Sequence, residues 1–249
     1  MLILITGASS GIGRDMARYL SGKGHKLVLV ARRRDRLEKL ASELGDCEII
    51  ETDLSIKENC IKLYESLKDR NIDVLINNAG FGVFGSFTET PLERELDLIK
   101  TNITAVHILT KLFLEDFSAK NSGYILNVAS IAGFFPGPLL SSYYASKAYV
   151  LRLTLALNEE MRRMHKNVHL SALCPGPVKT EFDDVAGVRF SIKGLSSEYV
   201  AKYAIDKMFA GKTVIVPGFM TKAAVFFRHF VSEKFLAKIT YNMQKRKRR

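Results

Sequence analysis

Cysteine is scarce in this chain of 249 residues: Cys47, Cys60 and Cys174 are odd in number and have no metal-type spacing. A disulfide framework and a bound metal are therefore not expected, and the usage fits a reduced, cytoplasmic setting. Long apolar runs are also missing. Nothing approaches the roughly 20 residues that would span a bilayer, and the opening segment Met1-Leu2-Ile3-Leu4-Ile5-Thr6-Gly7 is too short, and lacks the basic flank, for a signal peptide. Pro/Gly/Ser-rich linkers, internal repeats and low-complexity tracts are absent, so one well-buried domain is expected for this length.

Acidic charge is in deficit. The formal net charge is +11, but Lys245, Arg246, Lys247, Arg248 and Arg249 supply five of it at the C-terminus. The body is only moderately basic, and the tail reads as a solvated end rather than a specific nucleic-acid site.

Short continuous apolar runs (2–5, 27–30, 48–51, 74–77, 124–128, 168–173 and 214–216) alternate with helical-period segments near 12–23, 34–44, 56–69, 91–118, 142–165 and 197–210. Unbroken hydrophobicity is the mark of parallel strands covered on both faces. The pattern predicts an α/β fold: a single-domain Rossmann-type doubly wound parallel sheet with helices on both faces. Residues 1–217 would form the dinucleotide-binding catalytic domain, and 218–249 a basic amphipathic extension packed on the same domain or on a partner.

Between the first strand and the first helix lies Thr6-Gly7-Ala8-Ser9-Ser10-Gly11-Ile12-Gly13. Glycines there let the backbone turn tightly and approach a pyrophosphate, whose charge is drawn to the free N–H groups at the helix start. The second strand ends in Val30-Ala31-Arg32-Arg33-Arg34, where an NAD site would carry an acid. An arginine, Arg32 in the first instance with Arg33 beside it, would pair with a 2′-phosphate and favours NADP(H) over NAD(H).

Tyr143 and Lys147 are four apart on a predicted helix and share a face. An ammonium near a phenol lowers its pKa toward the range of a general acid/base. Ser130 ends the fifth predicted strand, placed to hydrogen-bond a substrate carbonyl. Tyr144 competes for the acid/base role, but its spacing to Lys147 is three.

With these residues the chain resembles the short-chain dehydrogenase/reductase family over roughly residues 2–217. The motifs are Thr6 to Gly13, Asp53-Leu54, Asn77-Asn78-Ala79-Gly80, Thr101-Asn102-Ile103, Ser130, Tyr143 to Lys147, and Pro175-Gly176-Pro177-Val178-Lys179-Thr180. The resemblance implies that Tyr143 is the acid/base, that Lys147 lowers its pKa and binds the nicotinamide ribose, that Ser130 is the carbonyl partner, and that Asn102 anchors a water of the proton relay. It also implies cofactor contacts from Gly7, Ser9, Ser10, Gly11, Ile12 and Gly13. Further contacts are implied for Asp53 and Leu54 at the adenine, Asn78, Ala79 and Gly80 at the ribose, and Pro175, Val178 and Thr180 at the carboxamide. Ser10 stands where some NADP-using relatives carry a basic residue, which leaves Arg32 most of the 2′-phosphate.

Three loops at carboxyl ends of strands, Phe81 to Gly85, Phe134 to Leu140, and 181 to about 196, are candidate substrate walls. Beyond them Phe227, Val231, Phe235, Ile239 and Met243 fall at steps of four among Lys222, Arg228, Lys234 and Lys238. Such a helix can dock on its own domain, cover the cleft, meet a second subunit, or lie on an anionic membrane. The sequence thus predicts an oxidoreductase interconverting a carbonyl and an alcohol, with an apolar substrate and a homo-dimer or tetramer. The alternative is a non-enzymatic dinucleotide sensor or scaffold on the same fold.

Overall fold

The computed structural model describes residues 1–182, 186–187 and 194–245. Residues 246–249 of the basic tail and most of the third expected loop lie outside the described residues. In chain order the elements are β1 (Leu2–Thr6), α1 (Gly11–Ser21), β2 (Lys26–Ala31), α2 (Arg34–Leu44), β3 (Cys47–Glu51), α3 (Lys57–Leu67), β4 (Val74–Asn77), α4 (Leu92–Ile99), α5 (Val106–Ala119), β5 (Gly123–Val128) and α6 (Ser141–Arg163). Then follow β6 (Val168–Leu173), β7 (Val178–Lys179), β8 (Leu195–Ser196), α7 (Ser197–Phe209), β9 (Val214–Ile215), α8 (Phe219–Phe227) and α9 (Glu233–Lys245).

Seven strands form one sheet in the order β3-β2-β1-β4-β5-β6-β9, and each neighbouring pair is parallel. Side chains alternate between two cores. Ile3, Ile5, Leu27, Leu29, Val74 and Ile76 join Met16 and Leu20 of α1 on one face. Leu4, Val28, Val30 and Leu75 join Phe113 and Phe117 of α5 on the other. Both faces are dry, which is why the strands read as continuous apolar runs. The strand order reverses between β1 and β4, and that switch point opens a crevice at the carboxyl ends.

Two segments depart from the expected elements. The helix predicted over 91–118 contains a π-helical turn at Lys100–Ala105 between α4 and α5. The C-terminal extension is not one helix. It breaks after α8 at a 3-10 turn, Arg228–Phe230, followed by extended Val231. The Ser232 hydroxyl then accepts the Phe235 N–H at 3.4 Å and starts α9 afresh. The break resets the helical phase, so Leu236 is buried in place of Phe235, which is 54% exposed.

Candidate active site

The glycine loop between β1 and α1 is built by close approach. Gly7 and Gly11 have φ of +65° and +53°, a region costly for other residues. A Cβ on Gly13 would stand 2.3 Å from Asn78 Nδ2 and 2.5 Å from the Gly7 carbonyl. Asn78 Nδ2 donates to the carbonyls of Thr6 and Gly7 at 3.0 Å each, while Thr6 Oγ1 accepts the N–H groups of Asn78 and Ala79 at 3.0 and 3.1 Å. These bonds tie the end of β1 to the end of β4 and fix the loop. No side chain caps α1, and its first residues Gly11 and Ile12 line the crevice. A glycine cradle at a free helix start fits the pyrophosphate of a dinucleotide.

The arginine lying on this loop is Arg33. Its Nη2 donates to Ser10 Oγ at 2.8 Å and Ser9 Oγ at 3.1 Å, and its Nη1 pairs with Glu181 at 2.9 Å. Arg36 bonds the same carboxylate, and the two guanidinium groups hold Glu181 below the usual carboxylate range. Arg32, expected to be the principal contact, also lines the crevice, but it is largely exposed and lies 3.9 Å from Asp53.

At the other end of the crevice Tyr143 and Lys147 project from α6, with Ser130 at the end of β5. Ser130 Oγ accepts the Ala132 N–H at 3.1 Å and donates to the Pro175 carbonyl at 3.5 Å. The expectation that Lys147 lowers the Tyr143 pKa is not met in this arrangement. Burial pushes the phenol up to about 12, against the lowering by Ser130, with a further raising contribution from Tyr144. Burial also pushes the Lys147 ammonium down to about 8. The reason is geometric: Lys147 Nζ donates to the Val128 carbonyl at 2.7 Å and lies 5.8 Å from the Tyr143 ring centroid.

Asn102 sits in the π-helical turn and is fully buried. Its Oδ1 accepts the Phe81 N–H at 3.1 Å, and its Nδ2 donates to the Phe81 carbonyl at 2.9 Å and to Ser146 Oγ at 3.1 Å. Ser146 in turn donates to the Tyr143 carbonyl at 2.7 Å. The amide thus clamps the Phe81 loop to the helix that carries Tyr143, and π-turns of this kind recur at functional sites.

One cavity of about 890 Å³ joins the two ends. Of the expected cofactor residues, Gly7, Ser9, Ser10, Gly11, Ile12, Arg32, Asp53, Leu54, Asn78, Ala79, Gly80, Pro175, Val178 and Thr180 line it, as do Ser130, Tyr143 and Lys147. Gly13 and Asn102 do not line it; they stand behind the wall and set its shape. From the candidate loops, Phe81, Phe135, Leu140, Glu181 and Phe182 reach the cavity.

The sequence leaves open whether the C-terminal extension supplies the closing wall. Met220, Ala224, Phe227, Leu236, Ile239 and Met243, from α8, α9 and the residues beside them, form it. Gln244 Nε2 donates to Tyr144 Oη at 2.6 Å, and Thr240 Oγ1 donates to the Pro136 carbonyl at 2.7 Å. Tyr144 is thereby tied to the extension, while its ring stands edge-on to Tyr143 with centroids 6.2 Å apart. A lone glutamine, Gln244, on the buried side of a basic helix was the available signal, and it is weak. Among the described residues no cluster of His, Cys, Asp or Glu could hold a metal.

Fold, cradle and reactive cluster together define a nicotinamide-dependent oxidoreductase. The family model for short chain dehydrogenase matches residues 1–187, and the chain belongs to that family. An uncharacterized oxidoreductase of Staphylococcus saprophyticus is 39% identical over 191 residues, covering 74% of this chain and 76% of that protein. A short-chain dehydrogenase from Sphingobium yanoikuyae, solved in complex with NADPH, is 32% identical with a TM-score of 0.83, covering 92% of this chain and 93% of that one. One from Burkholderia phymatum, solved with NAD, is 26% identical with a TM-score of 0.84 and covers 92% of each chain. The protein is accordingly an enzyme acting on CH–OH groups with NAD(P).

Proposed function

We propose that this enzyme reduces the carbonyl of an apolar ketone or aldehyde, with NADPH preferred over NADH. The observation that carries the reading is the continuous cavity running from the glycine loop to the Ser130–Tyr143–Lys147 cluster. The bound cofactor supplies the hydride. Tyr143, neutral at physiological pH because burial holds it near 12, donates its proton to the carbonyl oxygen. Ser130, in the same cavity wall as the phenol, would orient that oxygen and stabilise charge developing on it. Lys147 would bind the nicotinamide ribose and, once turned from Val128, ease the return of a proton to Tyr143. Asn102 would anchor the water of that relay while holding the Phe81 loop.

The NADP preference is supported by Arg32 and Arg33 at the end of β2. Arg33 lies across the Ser9 and Ser10 hydroxyls and so supplies the positive charge that Ser10 itself lacks. Apolar walls from Phe135, Phe182, Phe227 and Ile239 support a hydrophobic substrate. Residues 1–217 would be the catalytic domain, and 218–249 an extension that closes its substrate end. A homo-oligomer is supported by exposed Leu92, Leu96 and Ile99 on α4, and a cytoplasmic setting by the three free cysteines. Screening hydrophobic carbonyl compounds for NADPH consumption tests the reading; no turnover by wild type with any of them, alongside intact NADPH binding, would overturn it.

A further inference from the structure

The extension over residues 219–245 has apolar side chains in the cavity wall and others outside it. The first close the cavity. The second include Phe219, Phe226, Phe230 and Phe235, none of which lines the cavity, exposed at 82, 61, 74 and 54%. Phe226 packs against Phe227 and Phe230 with ring centroids 5.4 and 5.7 Å apart, so these rings form a patch rather than scattered exposures. Contiguous exposed apolar surface of this kind marks an interaction site.

The charge around the patch chooses among occupants. Lys222, Lys234, Lys238 and Lys245 of the same segment are exposed, while Arg228 turns inward over Phe134; Glu233 is the single acid in the segment, and the sequence continues as Arg-Lys-Arg-Arg. In a two-fold contact the same patch meets itself, which would set this basic belt against its own copy. An anionic lipid surface satisfies both features, with aromatic rings in the headgroup boundary and lysines at the phosphates. No described helix is long and apolar enough to cross a membrane, so the contact is peripheral. The patch is also continuous with the site: Met220, Phe227, Ile239 and Met243 both line the cavity and are exposed. They form an apolar rim from the outer face to the interior.

We infer that α8 and α9 dock the enzyme on an anionic bilayer and that the cavity takes its carbonyl substrate from the lipid phase through this rim. The docking stands on the patch and its charges, whereas the substrate route rests on the function proposed above.

The test uses the full chain, vesicles of phosphatidylcholine with and without phosphatidylglycerol, and the variant F219S/F226S/F230S/F235S. Wild type should co-sediment with the anionic vesicles more than about tenfold better than with the neutral ones, and salt should weaken the association. The variant should lose most of that binding and keep wild-type turnover of a small water-soluble ketone, while its turnover of a bilayer-partitioned long-chain ketone falls at least severalfold. Equal sedimentation of wild type and variant, or none by wild type, overturns the proposal. So does light scattering in which wild type is a larger oligomer than the variant and does not bind vesicles, since the patch then belongs to a second copy. Vesicle binding that depends on the four phenylalanines, without turnover of any ketone, upholds the docking and overturns the function.

Discussion

The two ends of the cavity are made of different material. At the glycine-loop end the wall is largely backbone, held by Thr6 and Asn78, and a single added carbon at Gly13 would collide with Asn78 Nδ2. At the far end the wall is side chain, gathered from Phe135, Phe182 and the C-terminal extension. Backbone recognition of an invariant group leaves few sequences able to do it. Apolar side-chain walls can be composed in many ways, so the first end announces its ligand while the second announces only a solvent preference.

The contrast can be broken most forcefully at the reactive cluster. Tyr143→Phe should lower turnover by about 10³-fold, within the span of general acid catalysis, with NADPH affinity changed less than about twofold; Tyr144→Phe should retain turnover. Steady-state rates and cofactor titration check both.

Next is the cradle: Gly13→Ala should destabilise the fold by about 1–3 kcal/mol through overpacking and weaken dinucleotide binding, read by thermal melts with and without NADPH. Gly24→Ala is not a fair control, because its φ of +78° penalises a side chain even in open space.

Arg33→Ala and Arg32→Ala should each cost about tenfold in NADPH affinity, as loss of a charge-assisted contact implies, and leave NADH nearly unchanged. Equal losses for both cofactors would show the arginines to be structural.

Lys147 gives the pH dependence. With its pKa depressed to about 8, it is cationic below that value and neutral above. NADPH binding should therefore weaken as pH rises through about 8, and Lys147→Arg should remove that inflection. The same depression has a sign for stability. Between the folded value near 8 and the ordinary lysine value of 10.5 the unfolded chain holds more protons, so this group makes stability rise with pH across that window. The smallest effect is expected at the extension: Gln244→Leu, which frees Tyr144, should raise KM for an apolar ketone a fewfold and leave kcat near wild type.

How much could be read in advance follows the same division. Val74–Asn77 and Val168–Leu173 are strands with the expected bounds, because a doubly covered parallel sheet requires unbroken apolar runs. Gly7 to Gly13, Ser130, Tyr143 and Lys147 were legible because each sits at a fixed offset from an element end. The direction of the Tyr143 pKa was not, since spacing four residues apart says that two side chains share a face but not where the lysine hydrogens point. That Arg33 rather than Arg32 reaches Ser9 and Ser10 was not legible, because neighbouring residues at a strand end diverge and only the fold decides their directions. The break at Ser232 was hidden by a step-of-four pattern that runs through it unaltered.

The most direct measurement follows the hydride itself. NADPH deuterated at the transferable position of nicotinamide C4 is incubated with the full-length enzyme and an apolar ketone, and the alcohol product is examined by mass spectrometry. The account predicts one deuterium on the former carbonyl carbon and almost no product from Tyr143→Phe. Unlabelled alcohol, or labelled alcohol formed equally well by Tyr143→Phe, would contradict it.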